Sequence, residues 1–93
     1  MKNFKDLKIW HKGFQIAVHS FKLVAGFPKE ERFGISSQIT RSAVSISSNI
    51  AEGSSRSSIK EFSHFLDIAL GSSFELETQL VIAQDYNRFQ AKN

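Results

Sequence analysis

The residues whose type and spacing best suit a chemical role are four lysines near the amino terminus. Lys5, Lys8, Lys12 and Lys22 recur at helical intervals on one polar face. Lysines in a line can neutralise successive phosphates and release counterions, so the pattern predicts contact with RNA or DNA. The face has no arginine fork and no aromatic side chain, so no reading of bases is predicted.

Two other interpretations of this basic face stay open. It can be an ordinary solvated face. Alternatively, it can dock against an acidic face of the third helix in the next subunit and so close a ring. The charge distribution permits such docking, because residues 1–60 hold ten Lys and Arg against four Asp and Glu, whereas residues 61–93 hold two against five.

One short motif has the spacing of a metal site. Glu61 and His64 form Glu-x-x-His, but a di-iron bundle needs two such motifs and two further carboxylates. His11 and His19 have no Glu three residues before them. The chain also lacks a Gly-rich phosphate loop, a Ser-His-Asp set and any cysteine. We therefore expect no metal site, no cofactor and no enzymatic activity, and an unrecognised metal enzyme is the least favoured alternative.

Three long helices are predicted to position these residues. Apolar side chains at alternating intervals of three and four residues indicate helices at about 6–25, 35–53 and 59–84. Residues 85–87 are predicted to form a turn, after which a fourth helix starts at 88–93. The predicted fold class is all-α, an antiparallel up-and-down bundle of the four-helix-bundle type, with the fourth helix truncated or missing.

The middle helix is predicted to be the centre of the bundle. Its apolar side chains fall on one side, and most other positions are serine, threonine or alanine, which let neighbouring helices come close. Gly53 is predicted to end this helix, because glycine adopts the left-handed conformation without steric cost. The predicted core stripe consists of Ile35, Ile39, Ala43, Ile46 and Ile50.

The first helix is apolar on two sides. A seam of large side chains runs from Leu7 to Val24, and Ile9, Ile16 and Leu23 form a second line, nearly opposite, at intervals of seven residues. A helix with two apolar sides must be covered on both. The second line is therefore predicted to contact another subunit.

Arg41 is the one cation within the middle helix. In an antiparallel hairpin it comes close to Glu75 and Asp67 of the third helix, so we predict a partly buried ion pair that fixes the helix register. Phosphate binding is the functional alternative for Arg41.

Polar residues near the end of the middle helix are predicted to be structural. Asn49 is expected to hydrogen-bond a backbone group or a neighbouring helix. Glu52 and Arg56 lie four residues apart and are expected to pair. Ser58 and Glu61 match the capping box that begins a helix. Arg56 is also a candidate for the nucleic-acid-binding surface.

Two long motifs carry a family resemblance. Residues 38–46 and 48–53 with Arg56 form one motif, and residues 68–80 form the other. Together with Leu7, Trp10, Phe27-Pro28 and Glu31, they resemble the bacterial four helix bundle protein family, also called the 23S rRNA intervening-sequence protein family. The resemblance implies an antiparallel four-helix bundle assembled as a ring-shaped homopentamer. It also implies kinship with the basic accessory protein of diversity-generating retroelements, which engages a reverse transcriptase and nucleic acid. No established biochemical activity comes with the family.

The sequence departs from the family pattern at its carboxyl end. The family has a fourth helix after the turn expected at 85–87, and this chain ends where that helix would start. Either the sequence is shortened, or another chain covers the exposed seam.

The functional prediction is a non-enzymatic homo-oligomeric scaffold, a homopentamer, whose basic surface contacts RNA, DNA or a nucleic-acid enzyme. The alternative is a structural or adaptor oligomer that binds protein only. The amino terminus has no hydrophobic signal core, and no apolar run approaches the roughly 20 residues of a membrane span. We therefore expect a cytoplasmic protein without membrane contact.

Overall fold

The computed structural model describes residues 3–92, and side chains over residues 3–88. Three α-helices make up most of it: α1 (Lys8–Val24), α2 (Ile35–Ser54) and α3 (Ile59–Lys92). Single 3-10 turns precede α1 and α2, at Phe4–Asp6 and Lys29–Glu31. Residues 3–92 contain no strand. The all-α prediction is confirmed.

The middle helix α2 separates the other two. It packs along α3 on one side and along α1 on the other, whereas α1 and α3 make no close backbone approach to each other. Both contacts are antiparallel. From Gly13 to Phe21 of α1, the neighbouring α2 residues run back from Ser47 to Arg41. From Ser42 to Gly53 of α2, the neighbouring α3 residues run back from Glu75 to Phe65. The arrangement is that of an up-and-down bundle in which α1 and α3 are diagonal neighbours.

The hydrophobic core lies between α2 and α3. Most of the predicted α2 stripe is buried, and Ile39 and Ile50 are almost completely enclosed. Leu7, Trp10, Ala17 and Val24 of the first helical segment are only partly buried against this core. The core residues are Ile39, Ala43, Ile46 and Ile50 of α2 with Ala69, Leu76 and Ala83 of α3.

Gly53 has a different role from the predicted one. The described residues include no glycine with positive φ, and α2 continues through Gly53 to Ser54. A Cβ atom at position 53 would lie 2.7 Å from Phe65 Cβ and 2.9 Å from Phe62 Cδ1. Gly53 is therefore needed for the close approach of α3, and the prediction of a left-handed helix end is wrong.

The carboxyl-terminal part of α3 also corrects a prediction. The helix is continuous from Ile59 to Lys92, so residues 85–87 do not form a turn and no fourth helix begins within residues 3–92. Asp and Asn favour turns, but without Gly or Pro they do not force a helix to end. Arg88 Nη1 also lies 3.9 Å from Asp85 Oδ1, one helical turn away, although both side chains are largely exposed.

The start of α3 confirms the Ser58 half of the predicted capping box, whereas the described structure shows no bond from the Ser58 backbone N–H to the Glu61 carboxylate. The backbone N–H of Glu61 donates to Ser58 Oγ at 3.1 Å, and Ser58 Oγ donates to Glu61 Oε1 at 3.3 Å. These bonds satisfy a backbone donor that the helix itself leaves unpaired. Along the part of the chain that is described, no helix combines the length and apolar character needed to cross a membrane.

Candidate nucleic-acid interface

The four predicted lysines are exposed, but they do not form one patch. Lys5 lies in the first 3-10 turn, and Lys8 and Lys12 lie in the first turns of α1. Lys22 follows ten residues after Lys12, which is about 15 Å further along the helix. None of the four makes an ion pair with a described residue. The structure therefore groups Lys5, Lys8 and Lys12 at one end of the molecule and places Lys22 towards the other.

Arg56 is largely used within the protein. Its guanidinium lies 4.9 Å from the centre of the Phe65 ring, and Arg56 Nη2 lies 3.6 Å from Glu52 Oε1. The predicted Glu52–Arg56 pair is thus confirmed. Arg56 Nε is buried and has no hydrogen-bond partner among the described residues. The side chain is 39% exposed, so it fastens the α2–α3 connection more than it offers charge to a ligand.

Arg41 does not form the ion pair predicted with Glu75 or Asp67. It is exposed and lies within 4 Å of no carboxylate in the described part of the chain. Ser42 Oγ donates to Glu75 Oε1 at 2.8 Å instead, and the Ser45 and Ser72 hydroxyls are also 2.8 Å apart. Successive helical residues point about 100° apart, so a serine facing α3 turns Arg41 away from it.

Polar side chains of α2 form hydrogen bonds within their own helix as well as to α3. Asn49 Nδ2 donates to the Ser45 carbonyl at 2.8 Å and to Ser45 Oγ at 2.9 Å. The prediction that Asn49 bonds a backbone group is confirmed.

A pocket at the α1–α2 connection joins three cations that sequence reasoning did not group. It has a volume of about 530 Å³, and Lys29, Arg32 and Arg41 line it without any acidic side chain. None of the three makes an ion pair within residues 3–88. Periodicity could not reveal this cluster, because its members lie on both sides of a non-helical break. The sequence around Lys29 and Arg32 also did not look basic, because these two residues flank two glutamates. We call this site the connection pocket.

The polar wall of the connection pocket comes from the start of α2. Ser36, Ser37 and Thr40 line it beside Arg41. Gly34 occupies the position before the helix and supplies no side-chain cap. The first N–H groups of α2 are therefore left for another acceptor.

An exposed aromatic ring stands at the rim of the connection pocket. Phe33 is 87% exposed, and the Arg32 guanidinium lies 5.1 Å from the ring centre. An apolar side chain of this size that remains mostly in water is a candidate contact surface.

The predicted oligomer line remains uncovered in the single chain. Ile9, Ile16 and Leu23 are each about half exposed. Leu23 also lines a groove of about 620 Å³ between α1 and α3, together with Leu80 and Ala83. The line therefore borders the open side of the bundle, where the backbones of α1 and α3 do not approach closely.

The Glu61–His64 pair does not belong to a larger group of metal-binding side chains in the described part of the chain. Within the described range, no three His, Cys, Asp or Glu side chains converge as metal ligands would. Glu61, half of the Glu-x-x-His motif, takes part in the capping box of α3.

Comparison with known proteins gives one match and one negative result. The family described as 23S rRNA-intervening sequence protein matches residues 5–93, which is nearly the whole chain. A search of curated proteins finds none with significant similarity.

Proposed function

The chain belongs to the 23S rRNA-intervening sequence protein family, and from this premise we propose a non-enzymatic homo-oligomeric scaffold, a pentamer, that binds RNA or DNA through a basic surface. The carrying observation is that the cations on the α1 side of the bundle are exposed and unpaired within the described residues. Arg56, the remaining predicted contact, lies at the α2–α3 connection and pairs with Glu52. Unpaired surface cations bind phosphates without breaking an internal contact.

Oligomer formation rests on the line of Ile9, Ile16 and Leu23. Three large aliphatic side chains, each about half exposed on one helix, leave apolar area in water that a second copy can bury. We expect Ile16→Lys to lower the assembly mass measured by light scattering, because a charge cannot be buried unpaired. Gln15→Lys adds the same charge at the neighbouring exposed position and should leave the mass unchanged. An unchanged mass in Ile16→Lys would remove this line from the interface.

Nucleic-acid binding is tested with labelled mixed-sequence RNA and DNA over a salt series. The double variant Lys8→Glu/Lys12→Glu should weaken binding at low salt and flatten the dependence of log K on log salt, because fewer counterions are released. The control Lys60→Glu/Arg88→Glu changes the net charge equally, at exposed positions on α3. Equal losses in both doubles would mean that only net charge matters and that the α1 surface is not the binding site.

The second candidate is an oligomeric adaptor that binds protein only. It is favoured by the apolar side chains on the outer face of α3, where Phe74 is 61% exposed and Leu70 and Val81 are about half exposed. Absence of RNA and DNA binding by the intact oligomer at low salt would support the adaptor over the nucleic-acid scaffold.

A further inference from the structure

We infer that the connection pocket holds a phosphate of single-stranded RNA or DNA, while Phe33 at its rim stacks against the neighbouring base. This inference rests on the proposed function, but it assigns the specific contact to residues outside the α1 lysine surface. That surface then supplies general attraction to the phosphate backbone.

The charge of the pocket selects an anion. Lys29, Arg32 and Arg41 all line one site of about 530 Å³ that no carboxylate lines, beside apolar residues such as Phe21 and Val24. Two of the three are arginines, whose planar fork matches phosphate geometry better than an ammonium group does. All three attract an anion that enters the pocket.

The start of α2 provides neutral donors for the same anion. The N–H groups at a helix amino terminus point outward and carry partial positive charge, and no side chain caps them here. Ser36 also lines the pocket, where its hydroxyl can donate to a bound anion.

The rim of the pocket explains why the ligand should be single-stranded. Phe33 is 87% exposed and lines the same pocket as the cations, so a base attached to the bound phosphate can reach its ring. Bases in a duplex stack on each other and cannot turn towards such a ring, whereas unpaired bases stack readily on aromatic side chains. The nearby Arg32 guanidinium provides a second flat surface.

The test compares single-stranded and duplex oligonucleotides of the same composition by fluorescence anisotropy. Phe33→Ala should weaken single-strand binding by roughly tenfold and duplex binding much less, because one base–aromatic stack is lost. Arg41→Gln should reduce the salt slope by about one unit, as expected for one lost phosphate contact. The matched controls Phe74→Ala and Arg88→Gln remove an exposed ring and an exposed guanidinium on α3 and should bind like the wild type.

Different failures of the test have different meanings. If both pocket variants bind like the wild type while Lys8→Glu/Lys12→Glu loses binding, the pocket assignment is wrong and the proposed function stands. If no oligonucleotide binds the wild type, both the pocket assignment and the proposed nucleic-acid binding are wrong. A change of assembly mass in Phe33→Ala without a change in binding would make Phe33 a subunit contact and overturn the inference.

A second measurement separates nucleic acid from smaller phosphates. Uridine monophosphate and inorganic phosphate are titrated while amide NMR signals of Ser36 and Ser37 are followed. We expect weak shifts with the nucleotide and much tighter binding of the oligonucleotide at the same amides. Shifts with the monophosphate, combined with no oligonucleotide effect on these amides, would make the site a free-nucleotide pocket and contradict the inference.

Discussion

The two sides of α2 differ in how many of their polar and apolar groups contact other parts of the same chain. On the α3 side, hydroxyls meet across the helices, Glu75 accepts from Ser42, and Gly53 lets two phenylalanines approach the backbone. On the α1 side, three cations without an ion pair in the described structure and the exposed Phe33 ring line a pocket. The α2–α3 hairpin is thus a stable frame, and the α1 side is where groups remain available for binding.

The largest expected loss of stability tests the buried core of the α2–α3 hairpin. Ile50→Ala should lower the free energy of unfolding by about 4 kcal/mol, because Ile50 is fully enclosed and its removal leaves a cavity. Val44→Ala removes an exposed aliphatic side chain from the same helix and should cost less than about 1 kcal/mol. Urea denaturation followed by circular dichroism measures both. Similar losses would mean that α2 is not buried mainly against α3.

A glycine pair tests the closeness of the α2–α3 contact. Gly53→Ala should destabilise the protein by about 2–3 kcal/mol, because the new Cβ would overlap Phe65 and Phe62. Gly71→Ala places a Cβ in open space within α3 and should stabilise it by up to about 1 kcal/mol through helix propensity. Thermal unfolding of the two variants should therefore move in opposite directions, and a stabilised Gly53→Ala would contradict the packing described for the hairpin.

The smallest expected change in stability tests whether Arg56 and Arg41 have different roles. Arg56→Gln should cost about 1 kcal/mol, since it removes a partly buried cation–π contact and a half-exposed ion pair. Arg41→Gln removes no internal ion pair and should leave the unfolding free energy within about 0.5 kcal/mol of the wild type. An equal cost for both would show that Arg41 has a structural role and would weaken its assignment to a ligand.

Much of the α2–α3 hairpin could be predicted from short-range sequence patterns. The burial of Ile39, Ala43, Ile46 and Ile50 follows from helical spacing, and the Ser58–Glu61 cap and the Glu52–Arg56 pair follow from short sequence separations. These features depend on residues within one or two turns of a single helix.

The errors concern relations between elements. The prediction of an Arg41 ion pair was wrong because the direction of the Arg41 side chain depends on how α2 is rotated against α3. The structure shows this rotation through the bond from Ser42 to Glu75. The turn predicted at 85–87 failed because turn-forming residues were given more weight than the helix that surrounds them. The connection pocket was missed because Lys29, Arg32 and Arg41 meet only when the chain reverses between α1 and α2.

The absence of close backbone contact between α1 and α3 has a consequence for motion. Among the three long helices, α1 makes close backbone contacts with α2 and, within residues 3–92, none with α3. A partial opening can therefore release α1 and leave the α2–α3 hairpin folded, so backbone amides of α1 should exchange with deuterium through a lower-energy opening than those at Ile39 or Ile50. Any partner that seats in the groove beside Leu23 would slow this exchange, which makes the deuterium uptake of α1 a direct record of whether the open side of the bundle is occupied.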